Sequence, residues 1–505
     1  MDSSRRNVGL PTRGAGEPTL VTRTCPVPDV SLRAFLAERE PPRIHWTTPD
    51  GCEIAGSGAV ARVTADGRNR FDDVREAAEE LFADVDAARV PPADDEQVSR
   101  ADDDRHGGEA FSPRGSDESE TPDAGSREAG PLSAGPPDSG PPQAGTPDAA
   151  RPMLFGGFAF GDNHEPASPW EGFPGAEFVL PALRLTRTDD GTWLTVASAG
   201  PEATPDDVVS RLESAREAIS ELPSMGPTRE PPGVTATERT TTREEWHRQV
   251  EAALGRIDRG ELTKVVLAQA LSVGLSRPID APDVLERLRA SYPDCYRFLV
   301  EPTPEAGFLG APPERLVALT GDTVETEALA GSVARGETPQ ADEELAAHLR
   351  DSEKIQREHR VVVDTICDQL APLATAVTVD EQTIRKLTNI QHVQTPIRAR
   401  MADGVHVLDV VEALHPTPAV GGLPPDAAFE TIREAETFDR GWYAAPVGWF
   451  DAAGDGEFAV GIRSAVTAGD RATLFAGNGI VAESDPDEEW DEVELKYRPV
   501  LDALE

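Results

Sequence analysis

Lysine is almost missing from this chain. Four of 505 residues are lysine (Lys264, Lys354, Lys386 and Lys496), out of 48 basic residues, so 48 − 4 = 44 are arginine. Arginine keeps its proton throughout the working range, whereas a desolvated lysine can lose it. A chain that has replaced lysine elsewhere keeps it where that difference matters, or by chance; local sequence leaves both readings open at each position. Cysteine is equally scarce. Cys25, Cys52, Cys295 and Cys367 are widely spaced with no C-x-x-C, which suggests neither a disulfide framework nor a zinc site. No run of ~18 apolar residues exists, so no membrane-spanning helix is expected. Arg5 and Arg6 are followed by a Gly/Pro-rich stretch with no apolar segment behind it, unlike a secretory or twin-arginine signal. A cytoplasmic location is the expectation.

Acid dominates what is present. With 91 Asp and Glu, the formal charge is −43. Such a surface repels phosphate backbones and anionic lipid heads, so neither nucleic acid nor membrane is an expected partner. Patterned apolar segments and 38% hydrophobic residues separate the chain from disordered acidic proteins. Excess carboxylate with few lysines suits a salt-adapted, haloarchaeal type of protein. Folding and activity are therefore expected to need molar salt. An unchanged melting temperature and full activity at ~0.1 M salt, where screening reaches only ~10 Å, would overturn that reading.

The organisation follows composition. Residues 1–30 read as a flexible N-terminus and 31–90 as globular, with helical spacing over Phe71–Val85. Residues 91–150 are an acidic Gly/Ser/Pro stretch without core formers and read as a disordered insertion. Order resumes over 151–221, with strands at Met153–Phe160, Leu180–Thr186 and Trp193–Ala197; residues 222–241 read as a linker. The region 242–505 opens with a capping box, Thr242 and Glu245, on a helix running to about Asp258. A strand follows at Leu262–Leu271, then short strands, a long helix from Asp342 to Leu370, strands including Glu457–Val466, and a final helix from Asp487 to Leu504. Clustered strands between a few long helices indicate an α+β fold.

Three constellations could carry chemistry. On the last helix Glu489, Glu492 and Lys496 share one face, which suits a hard cation held by oxygen or a solvated acidic helix end. The long middle helix carries Glu353, Lys354, Glu358, His359 and Asp364, a charged face in which His359 reads as a core-edge residue. Lys264 interrupts an apolar strand, either snorkelling at its edge or held as a base with a lowered pKa.

In order along the chain, LTKVVLAQ (262–269), FLGAPPERL (308–316), EALAGS (327–332), LHPTPAVGGLP (414–424), FDRGWYAAPVGWF (438–450), GIRS (461–464) and AGNGIV (476–481) resemble the chorismate-utilising enzymes. That family includes the anthranilate, aminodeoxychorismate, salicylate and isochorismate synthases. LFGGFA (154–159) and FVLPALRL (178–185) extend the resemblance, towards isochorismate synthases of the menaquinone branch. It implies a large chorismate-binding fold, with antiparallel sheets packed in a core and helices outside. It implies magnesium-dependent conversion of chorismate to isochorismate, with water added at C2 and the C4 hydroxyl lost. Lys264 matches the general base and Glu314 the general acid. Glu358, Glu489 and Glu492 match magnesium carboxylates. Arg463 and Lys496 match holders of substrate carboxylates, with Gly477 and Gly479 as backbone donors beside them; Gly331, Ser332 and His392 match pocket positions. Ile355 stands where many members have an acid, which removes one carboxylate from the metal side. Lysine rather than glutamine at 264 implies water rather than ammonia as nucleophile, so no glutamine amidotransferase partner is expected. Salicylate synthesis and non-catalytic chorismate binding remain as alternatives.

Overall fold

The computed structural model describes residues 7–8, 20–90, 148–200, 203–222, 227–387 and 390–505. Ten helices and 24 strands are present among these residues. The strands form an eleven-stranded and a thirteen-stranded sheet, antiparallel throughout except where Leu20–Val27 runs parallel to Val85–Arg89. Both sheets feed one hydrophobic cluster: Phe298, Phe308 and Leu309 come from the larger sheet, and Val447, Phe458 and Leu316 from the smaller. The core thus lies between the sheets, and the α+β expectation is met.

Strand alternation explains the two faces. In Arg43–Thr47, Ile44 and Trp46 point into the main core, while His45 and Thr47 point to the other side. That outer side carries a second cluster, in which Ala55 and Leu185 lie beneath the helices Leu32–Ala37 and Pro205–Ser220.

The structure departs from the expected elements at places with a common cause. Leu180–Thr186 is not one strand: Ala176–Leu180 belongs to the smaller sheet and Leu183–Thr188 to the larger, with Pro181 between them. Glu457–Val466 likewise divides into Gly456–Val460 and Ser464–Ala468, one in each sheet. The chain crosses over Gly461, Ile462 and Arg463, and Arg463 adopts a left-handed φ of 51°. The helix expected from Asp342 to Leu370 is two helices, Pro339–Asp351 and Glu353–Leu370, broken at Ser352. Ser352 is extended there, and its hydroxyl caps the second helix at Ile355 N.

Two segments read as unstructured contain strands. Leu20–Val27, within the supposed flexible N-terminus, pairs with Gly191–Ala199. Val234–Arg239, within the supposed linker, pairs with the Lys264–Leu275 strand. The insertion falls largely outside the described residues; at its end Ala149 is buried, and its carbonyl accepts from Arg184 and Thr195.

Candidate active site

The site forms where the chain passes between the sheets. One crossover, Ala311 to Glu314, leads from Ala306–Gly310 in the larger sheet to Arg315–Thr320 in the smaller. The other returns through Gly461 to Arg463. They lie side by side: Ala311 N donates to Arg463 O at 3.0 Å, and Val460 N to Glu314 O at 3.1 Å. Glu314 and Arg463 are therefore fixed by the same pair of turns, 149 residues apart in sequence (463 − 314).

Both line a cavity of about 540 Å³ together with Lys264, Gly331, Glu358, His392, Gly477, Gly479, Glu489, Glu492 and Lys496. Eleven of the twelve residues singled out from sequence thus meet in one place. For the twelfth, Ser332, the backbone pairs opposite His392 across two strands of the smaller sheet.

Lys264 opens its strand and points into the cavity beside Gly479, where an added Cβ would stand 2.6 Å from Lys264 Cε. The glycine is what leaves the lysine room. Neither the Lys264 amine nor the Glu314 carboxyl has a hydrogen-bond or ion-pair partner among the described residues. Burial pushes the Lys264 pKa below the ordinary lysine value, with Lys496 adding to the effect and Glu358 opposing it. Burial likewise raises Glu314 to about 7, aided by Glu327 and opposed by Lys264. Two titratable groups driven towards their neutral forms in one cavity have the character of an acid–base pair.

The anion-holding side differs in kind. Arg463 forms no ion pair among the described residues, so its guanidinium is available to a substrate carboxylate. Lys496 is already engaged: its ammonium bonds Gly477 O at 3.0 Å, Asn478 Oδ1, and Glu492 Oε1 at 2.8 Å. Three protons have three acceptors, so Lys496 must release one to receive a substrate. Asn478, which the sequence reading missed, is 1% exposed and also donates to Glu489 O at 2.9 Å, tying the last helix to its strand. Its signal was available as the one polar residue between the two glycines. Tyr443, His348 and Ser352 also line the cavity and were not singled out. Burial raises Tyr443 to about 12, which leaves it a neutral hydroxyl. His359 lies in the core, bonded to Thr395 Oγ1 at 2.7 Å, and burial lowers it to about 4.

The donor set suits magnesium. Glu489 and Glu492 stand on one face of the helix Pro486–Leu504, and Glu358 lines the same cavity from the helix Glu353–Leu370. Burial and the neighbouring Glu492 hold the Glu489 carboxyl above its usual range, against the opposing effect of Lys496. Among the described residues no three His, Cys, Asp or Glu side chains converge closely enough to hold a metal alone. Mg²⁺ needs no such cage, because it keeps several waters and takes one or two carboxylates with substrate oxygens. Glu489→Gln and Glu358→Gln are each expected to abolish magnesium-dependent turnover while leaving the melting temperature nearly unchanged. A variant with a normal magnesium titration would place its carboxylate on the solvated face.

The chain matches the family model described as chorismate binding enzyme over residues 142–505. It is 37% identical over 357 residues to the isochorismate synthase MenF of Bacillus subtilis, covering 70% of this chain and 74% of that protein. It is 38% identical over 359 residues to the salicylate biosynthesis isochorismate synthase of Pseudomonas aeruginosa, with the same coverages. The solved structure of MenF, the menaquinone-specific isochorismate synthase of Escherichia coli, shares the fold. Its TM-score is 0.72 at 24% identity, over 97% of this chain and 95% of that one.

Proposed function

We propose, from the premise that this chain belongs to the chorismate-binding enzyme family, that it is an isochorismate synthase. The observation that carries the chemistry is Lys264 and Glu314, half-buried and without a hydrogen-bond or ion-pair partner among the described residues, lining a single cavity with Arg463.

Chorismate is a dianion, and Arg463 and Lys496 supply the cationic trap that an acidic protein otherwise lacks. Lys496 exchanges its bond to Glu492 for a substrate carboxylate. Lys264 in its neutral form takes a proton from water attacking C2. Glu314 in its protonated form gives a proton to the departing C4 hydroxyl. A bound Mg²⁺, held by Glu358, Glu489 and Glu492 in part through its own waters, would neutralise a substrate carboxylate and orient the ring. No glutaminase subunit is called for, since water is the nucleophile. The similarity of residues 154–159 and 178–185 to the menaquinone branch supports that destination for the product. No described helix is long and apolar enough to cross a membrane; we read the enzyme as cytoplasmic.

Activity requires protonated Glu314 and neutral Lys264 at once, so kcat/KM should be bell-shaped in pH. One inflection is expected near 7, the value to which Glu314 is raised. It forms the acid limb if Lys264 titrates above Glu314 and the alkaline limb if below, because the same doubly competent form is populated between the two values. Glu314→Asp should move that inflection; a profile flat from pH 5 to 9 would remove the pair from the mechanism. The function itself is tested by following purified protein with chorismate and Mg²⁺ by NMR. Isochorismate without pyruvate is expected. Pyruvate and salicylate would make it a salicylate synthase, and unconsumed chorismate a binding protein.

A further inference from the structure

A second cavity, of about 390 Å³, lies on the outer face of the larger sheet beneath the helices Leu32–Ala37 and Ala281–Ser291. Its floor is a polar row across four strands. Arg297 stands opposite Thr47, Thr47 opposite Glu53, and Glu53 opposite Arg187. Arg187 is paired with Glu53 and Asp29. Arg289, at the rim, is paired with Glu286 at 2.6 Å. Arg297 is different. It is 5% exposed, and its one hydrogen bond goes to the nearby Cys295 carbonyl at 3.2 Å. It has no carboxylate partner among the described residues. Glu53 and Glu286 favour its charge from the same cavity without forming an ion pair with it, and burial still lowers its pKa; a buried guanidinium is ordinarily paired outright.

Two further polar atoms belong to residues that line the cavity, His45 Nδ1 and Arg187 Nε, and are buried beneath its wall without a partner among the described residues. His45 Nε2 lies 2.7 Å from Thr47 Oγ1. Burial, with Arg297 and Arg187 nearby, pushes His45 down to about 3, so the ring is neutral. The neutral ring and the Thr47 hydroxyl share one hydrogen bond, with either as the donor. The roof is apolar, made by Leu32, Leu36 and Leu285. One wall therefore offers Arg297, held in no ion pair among the described residues, and the other offers hydrocarbon.

We propose that this cavity binds a small organic carboxylate, its anionic head on Arg297 and its apolar body under Leu32, Leu36 and Leu285. None of these residues lines the chorismate cavity, so the proposal stands independently of the catalytic reading.

The probe is benzoate, titrated by calorimetry into the full chain at the salt concentration that keeps it folded. Benzyl alcohol serves as the neutral analogue and inorganic phosphate as the anion without a body. Saturable benzoate binding is expected, with both controls at least about tenfold weaker, since each lacks either the charge-assisted bonds or the apolar contact. Arg297→Gln should weaken benzoate by about tenfold or more while leaving chorismate turnover unchanged. Should that variant fold poorly, Arg289→Gln at the half-exposed rim is expected to weaken benzoate by about threefold. Crystals soaked in 4-bromobenzoate should show the bromine anomalous peak beside Leu285. Equal binding of benzyl alcohol, no saturable binding, or bromine found only in the chorismate cavity would each overturn the proposal.

Discussion

Lys264→Arg is expected to bind chorismate almost normally and to lose at least ~100-fold in turnover, the scale of removing a general base. The argument begins with the residue itself. Two of the four lysines, Lys264 and Lys496, line one cavity, in a chain that uses arginine for nearly every other cation. Lys264 is half-buried, has no hydrogen-bond or ion-pair partner among the described residues, and has its pKa lowered chiefly by desolvation. A proton there is easily lost, and arginine would keep the charge without ever giving it up. Single-turnover chorismate consumption beside a binding titration separates the two roles. Normal turnover would reduce Lys264 to a positioning cation. If the guanidinium does not fit beside Gly479, Lys264→Ala makes the same test.

Glu314→Gln is expected to cost a similar factor, ~100-fold or more, again with binding retained. Glutamine matches the shape of the neutral acid and cannot protonate a leaving hydroxyl. The acid is held by its crossover backbone, through Val460 N to Glu314 O, and not by its side chain, so the substitution should leave the fold intact. The double variant Lys264→Arg/Glu314→Gln should be little worse than either single one, because the two groups act in one step. Additive losses would mean that they serve separate steps.

Much of the site was legible in the sequence, because its residues sit in segments whose order along the chain is itself distinctive. What the sequence could not show is how those segments meet. Leu180–Thr186 and Glu457–Val466 each read as one strand, since apolar alternation continues through a crossing from one sheet to the other. Pro181 and the Gly461–Arg463 turn are the physical breaks, and the second is what aims Arg463. Val234–Arg239 read as linker because an edge strand with exposed side chains has the composition of a loop. The helix break at Ser352 was hidden by a helical pattern on both sides. Lys496 was legible as a cation near the substrate, but two of its three acceptors, Asn478 and Gly477, come from a strand 18 and 19 residues earlier.

The central claim is that Lys264 activates an external water at C2 while Glu314 removes the C4 hydroxyl. It is tested most directly by running the reaction with unlabelled chorismate in ¹⁸O-water and locating the label in the product. The account predicts isochorismate carrying one ¹⁸O at C2, with the original C4 oxygen released to solvent. Isochorismate without label would mean that the hydroxyl migrates within the substrate, and would contradict the account.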